Sequence, residues 1–303
     1  MDNAASSRRR RLDVSEWMVA AAGYLFIGLF AICCLLPFLL VLGTSLTTES
    51  AVRKFGFNIW PREWSGFAYK IVFENPGQVY GSYVVTVVLT IVGTAIGLFL
   101  VAMTGYALQR PDFAYRNKVS FFIYFTTLFS GGLVPFYLLI TQYLDLKDNY
   151  LSVLLPGLMT PFLIIMMKSF IRSIPHAITE SAKIDGAGDF KIFLKLILPM
   201  STPALATIGL FLALGYWNEW YHSLLFLSPD VDYRPLQLFL YNVITSADFV
   251  KNSSAASNVP LRDVPLETMK MATAIVATGP VMLFYPLVQR YFITGITVGA
   301  VKG

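Results

Sequence analysis

The chain alternates between long apolar stretches and shorter polar segments. Six apolar windows are long enough, or nearly so, for a membrane-spanning helix, which needs about 20 residues to cross a hydrocarbon core of about 30 Å. The windows cover residues 19–46, 81–105, 119–141, 151–167, 202–227 and 271–291. Helices are expected in all six, because lipid offers no hydrogen-bond partner to free backbone groups. The pattern predicts an all-α integral membrane protein with six transmembrane helices.

Composition supports a membrane protein over a soluble one. Hydrophobic residues make up 56% of the 303 residues and charged residues only 14%, whereas a soluble chain carries about 25% charged residues. The fourth window is the shortest and contains Pro156 and Pro161. We therefore expect that helix to be kinked.

The distribution of basic residues predicts the orientation. Four arginines, Arg8 to Arg11, precede the first window, and the loops at 106–118 and 168–200 are also basic. The side that holds these loops and both termini carries more Lys and Arg than the other side. The positive-inside rule therefore predicts that both termini are cytoplasmic and that segments 47–80 and 228–270 face outward.

The segment between the fourth and fifth windows combines helix and turn signals. Thr179 could cap a short helix that starts near Glu180, and Gly186 and Gly188 allow a sharp reversal. Pro199 is expected to end a second, amphipathic helix, whose apolar face comprises Phe190, Phe193, Leu194 and Ile197. From spacing alone, this segment could also be a plain interfacial hairpin.

This segment resembles the EAA loop of ABC import permeases. The family pattern is Glu-Ala-Ala, three residues, Gly, nine residues, Ile, one residue and Leu-Pro. The positions that match are Glu180, Ala182, Gly186, Leu198 and Pro199, while Ser181 and Leu196 depart mildly from the pattern. The run at 184–187, the 129–135 stretch and the tail from 289 to 303 are similar to the carbohydrate-uptake branch, the relatives of the maltose inner permease.

The resemblance covers nearly the whole chain and implies a type I importer permease fold with a cytoplasmic coupling helix. It implies a cytoplasmic N-terminal segment at 1–18 and a six-helix permease domain at 19–303. Within that domain the type I core covers about 82–291 and the coupling loop about 176–199. The implied ATPase-coupling residues are Glu180, Ser181, Ala182, Asp185, Gly186 and Ala187.

The implied function is a permease subunit of an ATP-driven importer of sugars or oligosaccharides, in a bacterial plasma membrane. The expected partners are a second related permease, two cytoplasmic ATPase subunits, an extracytoplasmic sugar-binding protein, the sugar and membrane lipid. The chain shows no P-loop, no metal-ligand spacing and no basic stripe for nucleic acid. We therefore expect no cofactor, catalytic site or metal in this chain, and ATP and Mg in the partner ATPase.

A second constellation lies in the fifth window. Polar and aromatic side chains cluster at 216–222, and we assign Trp217, Asn218, Glu219 and Trp220 to the substrate path. Sugars offer hydroxyl groups to Asn and Glu, and apolar faces to aromatic rings. An aromatic belt at the outer membrane surface explains the composition equally well. The stretch from Ser130 to Pro135 could also belong to the path, but we favour a helix-breaking packing site there, because small residues let membrane helices approach closely.

Two other classes of protein remain open at this point. A secondary transporter or channel that works without ATP would need relay residues inside the membrane, and Glu219 is the one candidate. A membrane scaffold without transport is the third option. Neither class explains the EAA-like loop.

Overall fold

The computed structural model describes residues 14–74, 76–257 and 265–282. These residues are helical, and their one extended pairing is an isolated antiparallel bridge between Thr47 and Trp64. The expected all-α class is confirmed for this part of the chain.

Fifteen helices are used below, numbered in chain order. They are α1 (Val14–Ser45), α2 (Glu49–Phe55), α3 (Phe67–Val72), α4 (Pro76–Gln109), α5 (Arg116–Leu128), α6 (Leu133–Leu138), α7 (Leu151–Leu154), α8 (Pro161–Ile171), α9 (His176–Ile184), α10 (Asp189–Ile192), α11 (Leu198–Met200), α12 (Thr202–Trp217), α13 (Tyr221–Phe226), α14 (Leu236–Ser257) and α15 (266–282). A short π-helical turn at Leu139–Tyr143 extends α6, and another at Phe193–Ile197 joins α10 to α11. A 3₁₀ turn at Leu155–Gly157 extends α7.

Among the described residues, two helices are long and apolar enough to cross a membrane unbroken, over Trp17–Ser45 and Pro76–Gln109. Three bent helix pairs raise the number of candidate spans to five. The sixth window, 271–291, extends past the described residues, as do most of the 1–18 segment and the tail motif at 289–303. The count of six spans and the domain boundaries stay predictions.

The third window is not one straight helix. Its two halves, Arg116–Leu128 and Leu133–Tyr143, meet at 115°. Gly132 in the break has φ of 87°, which a side chain would disfavour. Residues 129–134 are exposed and a Cβ on Gly131 would meet nothing within 4 Å. The expected helix break at 130–135 is therefore present, but the close packing expected there is not seen within the described chain.

The fourth and fifth windows are also interrupted. The expected kink is present in the fourth window, where Leu151–Gly157 and Pro161–Ile171 meet at 41°. In the fifth, the helix ends at Trp217 and a separate short helix begins at Tyr221, so the window does not continue to residue 227 as one helix. The polar residues between them supply hydrogen bonds that end one helix and start the next.

By internal contacts the chain divides into two compact units, Val72–Pro260 with Val276–Gly303 and Met1–Ile71 with Leu261–Ile275. In the larger unit, α4 packs mainly against α8 and α12. The fully buried side chains of this core include Val101, Met167, Ile192, Phe193 and Ile208. The EAA-like segment packs against this core through Ala182 and Ala187.

The smaller unit contains α1 to α3 and the first part of α15. Most of α1 is exposed within the chain, as expected of a helix that faces lipid or another subunit. Thr48 caps α2 through a hydrogen bond from the Ala51 amide, 3.3 Å long. The Glu49 carboxylate accepts hydrogen bonds from the amides of Glu267 and Thr268, 3.3 and 3.1 Å long, at the beginning of α15.

Candidate functional site

Helix α9 begins one turn earlier than its sequence signals suggest. It starts at His176, directly after Pro175, whose φ of −59° suits the entry to a helix. Thr179 lies inside the first turns, and its hydroxyl donates to the His176 carbonyl at 2.7 Å. The interpretation of Thr179 as the cap of a helix that starts near Glu180 is therefore wrong.

The expected reversal after α9 is present and needs one glycine. Gly186 has φ of 76°; its amide donates to the Lys183 carbonyl at 3.0 Å, and the Ala187 amide donates to the Ala182 carbonyl at 2.9 Å. These two bonds form a Schellman motif, the common glycine-dependent helix ending. Gly188 has an ordinary extended backbone with φ of −70°, so the reversal does not depend on it.

The predicted coupling residues divide between two faces. Ala182 and Ala187 are half-buried and pack against the core. Glu180, Ser181, Asp185 and Gly186 are exposed. Ile184 was missing from the predicted set, yet it is 87% exposed, more than any other large apolar side chain described. An apolar residue within a polar turn was its signal in the sequence.

The second half of the segment differs from the expected amphipathic helix. Phe193 and Ile197 are buried as predicted, but Phe190 and Leu194 are exposed. The π-helical turn at Phe193–Ile197 widens the helix and changes which residues share a face. Phe193 stacks on Tyr106 of α4 with ring centroids 5.6 Å apart, which ties the segment to the membrane core.

An ion cluster holds α9 and α10 to the loop after α4. Arg110 pairs with Asp112 and, at 2.8 Å, with Asp189, while the Lys183 ammonium lies 2.9 Å from Asp112. Hydrogen bonds from Arg110, then from Lys183, hold the pKa of Asp112 well below its usual range. The Asp112 carboxylate in turn raises the pKa of Lys183. This cluster was not predicted from the sequence, because its members lie far apart along the chain.

A cavity of about 290 Å³ lies against α9. Charged side chains from α9 and from the loop after α4 line it, among them Arg110, Asp112, Glu180 and Lys183. The Nδ1 atom of His176 lies 2.9 Å from the Oε1 atom of Glu180, one turn along α9. The cavity is open, and it leaves the surface of α9 accessible.

The predicted substrate-path residues form the junction between α12 and α13. Trp217, the last residue of α12, is buried, and its indole N–H donates to the Ala277 carbonyl at 3.4 Å. It lies in a core cluster with Leu236 and Leu240. Trp220 stacks on Tyr241 with centroids 5.0 Å apart.

The polar residues of this junction are bonded locally. The Asn218 amide donates to the Leu214 carbonyl at 2.9 Å and accepts from Gln237 at 3.4 Å. Glu219 accepts from the His222 backbone amide at 2.6 Å, and its other oxygen lies 2.8 Å from the His222 ring. Asn218 thus caps α12, and Glu219 caps the first turn of α13.

Glu219 also lines a separate cavity of about 270 Å³. Its other walls come from α12 and from the bent pair α7 and α8, and include Thr160, Phe162, Phe211 and Gly215. Of the four predicted path residues, Glu219 alone lines this cavity. The lining of this cavity contains one carboxylate, the hydroxyl groups of Thr160 and Tyr216, and three aromatic rings.

Comparison with known proteins identifies the family. Residues 83–298 match the model of the family described as "Binding-protein-dependent transport system inner membrane component". The chain belongs to this family. The matched range includes α9, the ion cluster and the α12–α13 junction.

Individual relatives and a solved structure agree with the assignment. The permease is 38% identical to the polygalacturonan/rhamnogalacturonan transport system permease protein YtcP of Bacillus subtilis, over 92% of this chain and 96% of that protein. It is 36% identical to the protein LplC of Bacillus subtilis, over 92% and 93% of the two chains. A chain in the crystal structure of a bacterial ABC transporter, involved in the import of the acidic polysaccharide alginate, superposes with a TM-score of 0.78 at 29% identity, over 92% of this chain and 98% of that one.

The permease is therefore a membrane subunit of an ATP-driven importer with the type I permease fold. The resemblance drawn from the EAA-like loop is confirmed. A transporter that works without ATP is not supported by these relatives.

Proposed function

We propose that this permease forms one half of a heterodimeric pore that imports oligosaccharides. The support is that several similar permeases are named for such cargo: polygalacturonan/rhamnogalacturonan and, at 28% identity, arabinooligosaccharides in Bacillus subtilis. Two of the similar proteins handle acidic polysaccharides, namely YtcP and the alginate importer. Uronic-acid oligosaccharides are therefore the first cargo to test.

Helix α9 is proposed as the coupling helix that docks on a cytoplasmic ATPase subunit. The observation that carries this assignment is the exposed Ile184 beside the Schellman turn at Gly186. An apolar side chain surrounded by exposed polar ones is a typical anchor for a partner protein. Glu180, Ser181 and Asp185 would form the polar rim, while Ala182 and Ala187 attach the segment to the core.

The coupling segment has two links to the membrane helices. The ion cluster joins Lys183 and Asp189 to the loop after α4, and Phe193 stacks on Tyr106. A displacement of α9 by a closing ATPase dimer would be passed to α4 through these contacts. Such a rigid-body movement of packed helices would alternate the access of the pore.

The cavity beside Glu219 is proposed as part of the sugar path. Its carboxylate and Thr160 can bind sugar hydroxyl groups, and Phe162 and Phe211 can contact the apolar face of a sugar ring. A carboxylate also limits the path, because it repels a uronate at this position. The His222 ring, 2.8 Å from Glu219, offsets this repulsion only when it is charged, so acidic cargo that passes here is expected to turn its carboxylates away from Glu219.

The proposed assembly lies in a bacterial plasma membrane with both termini of this chain in the cytoplasm. Two ATPase subunits would bind ATP and Mg, and an extracytoplasmic binding protein would deliver the sugar. The basic Arg8–Arg11 run before α1 supports this orientation.

Reconstitution tests the proposed function. The permease, its partner permease, the ATPase and the binding protein are placed in proteoliposomes, and uptake of labelled oligogalacturonides and arabino-oligosaccharides is measured with and without ATP. We expect uptake that requires both ATP and the binding protein. Uptake without ATP would contradict the proposal. So would a rate of ATP hydrolysis that none of the oligosaccharides raises.

A further inference from the structure

A third cavity, of about 450 Å³, lies where α4 ends, α5 begins and α8 ends. Its walls contain three cationic side chains, Arg116, Lys168 and Arg172. The described residues that line it contain no carboxylate; they are Leu108, Gln109, Arg116, Asn117, Ile165, Lys168, Ser169 and Arg172. Positive charge is therefore concentrated around one concave space.

These cations differ from those of the ion cluster. Arg110 is paired with two aspartates there. Lys168 donates to the Ser120 hydroxyl at 2.7 Å, and Arg116 donates to the Arg110 carbonyl at 3.2 Å; both partners are uncharged groups. Within the described part of the chain, no acidic side chain lies within ion-pair distance of Arg116, Lys168 or Arg172. Their mutual repulsion is thus not offset by a protein carboxylate.

The position of the cavity indicates what could offset the charge. Gln109 is the last residue of α4, a candidate membrane span, and Lys168 lies in the last turn of α8. The ends of spanning helices lie at the level of the lipid headgroups. Arg116 and Asn117 are also the first residues of α5, where the helix dipole is positive. The exposed Ile165 adds an apolar side chain that can contact an acyl chain.

We propose that Arg116, Lys168 and Arg172 form a binding site for a phosphate group, supplied by an anionic phospholipid or by free phosphate. The two guanidinium groups can each donate a pair of hydrogen bonds to phosphate oxygens, and the lysine adds a compact positive charge. Bound phosphate would link α8 to the beginning of α5, directly beside the loop that carries the ion cluster. The site would thus stabilise the loop after α4, to which the ion cluster holds α9.

Lipid retention by the full-length permease tests the proposal. The protein is purified in a neutral detergent, and native mass spectrometry measures retained phosphatidylglycerol against phosphatidylcholine. A second arm measures binding of inorganic phosphate by equilibrium dialysis and its competition with phosphatidylglycerol. The variants are Arg172→Gln, Arg172→Lys and the double variant Lys168→Gln/Arg172→Gln. The charge-matched control is Lys191→Gln/Lys195→Gln, on exposed lysines outside the cavity.

We expect the wild type and the control to retain phosphatidylglycerol over phosphatidylcholine. Each lost cation should lower retention about fivefold, as expected for one basic residue at an anionic membrane surface, and Arg172→Lys should restore most of it. Phosphatidylglycerol retention that resists millimolar phosphate identifies the lipid as the source, and displacement by phosphate identifies the free anion. Equal retention of both lipids without phosphate binding, or an equal loss in the control, overturns the site. Arg172 is exposed, so the single variant keeps the test valid if the double variant does not fold.

Discussion

The segment around α9 and the junction at 217–222 both contain unusual side chains, but the chain uses them differently. At the junction, Trp217 and Asn218 are bonded to neighbouring groups of the same chain. Around α9, the charges fix the segment to the core while Ile184 remains exposed. An unusual residue therefore indicates an outside partner only when it remains exposed and is not bonded to groups of its own chain. We therefore place the partner contact at α9 and a mainly structural role at the junction, apart from Glu219.

The largest effect is expected from Gly186→Val, with Gly188→Val as the matched control. Valine at φ of 76° is strained by about 1–3 kcal/mol, whereas at Gly188 the backbone is ordinary. A Cβ meets no atom within 4 Å at either position, so neither variant introduces a clash at Cβ within this chain. We expect Gly186→Val to lose ATPase co-purification and transport-coupled ATP hydrolysis while still inserting into the membrane. Equal activity of the two variants would show that the turn at Gly186 is not required.

The sequence predicted the turn because its signal is local. Glycine adopts a positive φ without steric cost, and the pattern from Glu180 to Gly186 places it directly after a helix. The ion cluster could not be predicted, because Arg110 and Asp189 are brought together only by the packing of α4 against the later helices. The end of α12 at Trp217 was also missed, because hydropathy measures how apolar a stretch is and not where its helix ends.

A medium effect is expected from Asn218→Leu. The substitution removes the amide that caps α12 at the Leu214 carbonyl, but the site is exposed, so assembly should be nearly normal. If Asn218 also faces the transported sugar, uptake should fall several-fold, as expected for loss of about 1 kcal/mol of hydrogen bonding. The measurement compares uptake with the yield of assembled complex. The matched variant Trp217→Ala removes a buried side chain and should instead reduce the yield of folded protein.

The smallest effect is expected from Asp112→Asn. The carboxylate accepts from Arg110 and Lys183, and the cluster is partly exposed, so the apparent Tm should fall by only about 1–3 °C, and less at high salt. The pKa of Asp112 is lowered in the folded protein, so its contribution is complete above the ordinary carboxyl pKa of about 4 and is lost as the pH falls towards the lowered value. The difference in Tm between wild type and variant should therefore be constant from pH 7 to about pH 5 and shrink below about pH 4. A difference that changes between pH 5 and pH 7 would assign the effect to another group.

The most direct measurement places a photo-crosslinking amino acid at position 184 in the assembled transporter. The control carries the same group at Phe249, which is also highly exposed but lies on α14, in the segment predicted to face outward. We predict a crosslink from position 184 to the ATPase subunit, which is stronger with ATP bound, and no crosslink to that subunit from position 249. A crosslink to the ATPase from position 249, or only to lipid from position 184, would contradict the assignment of α9 as the coupling helix.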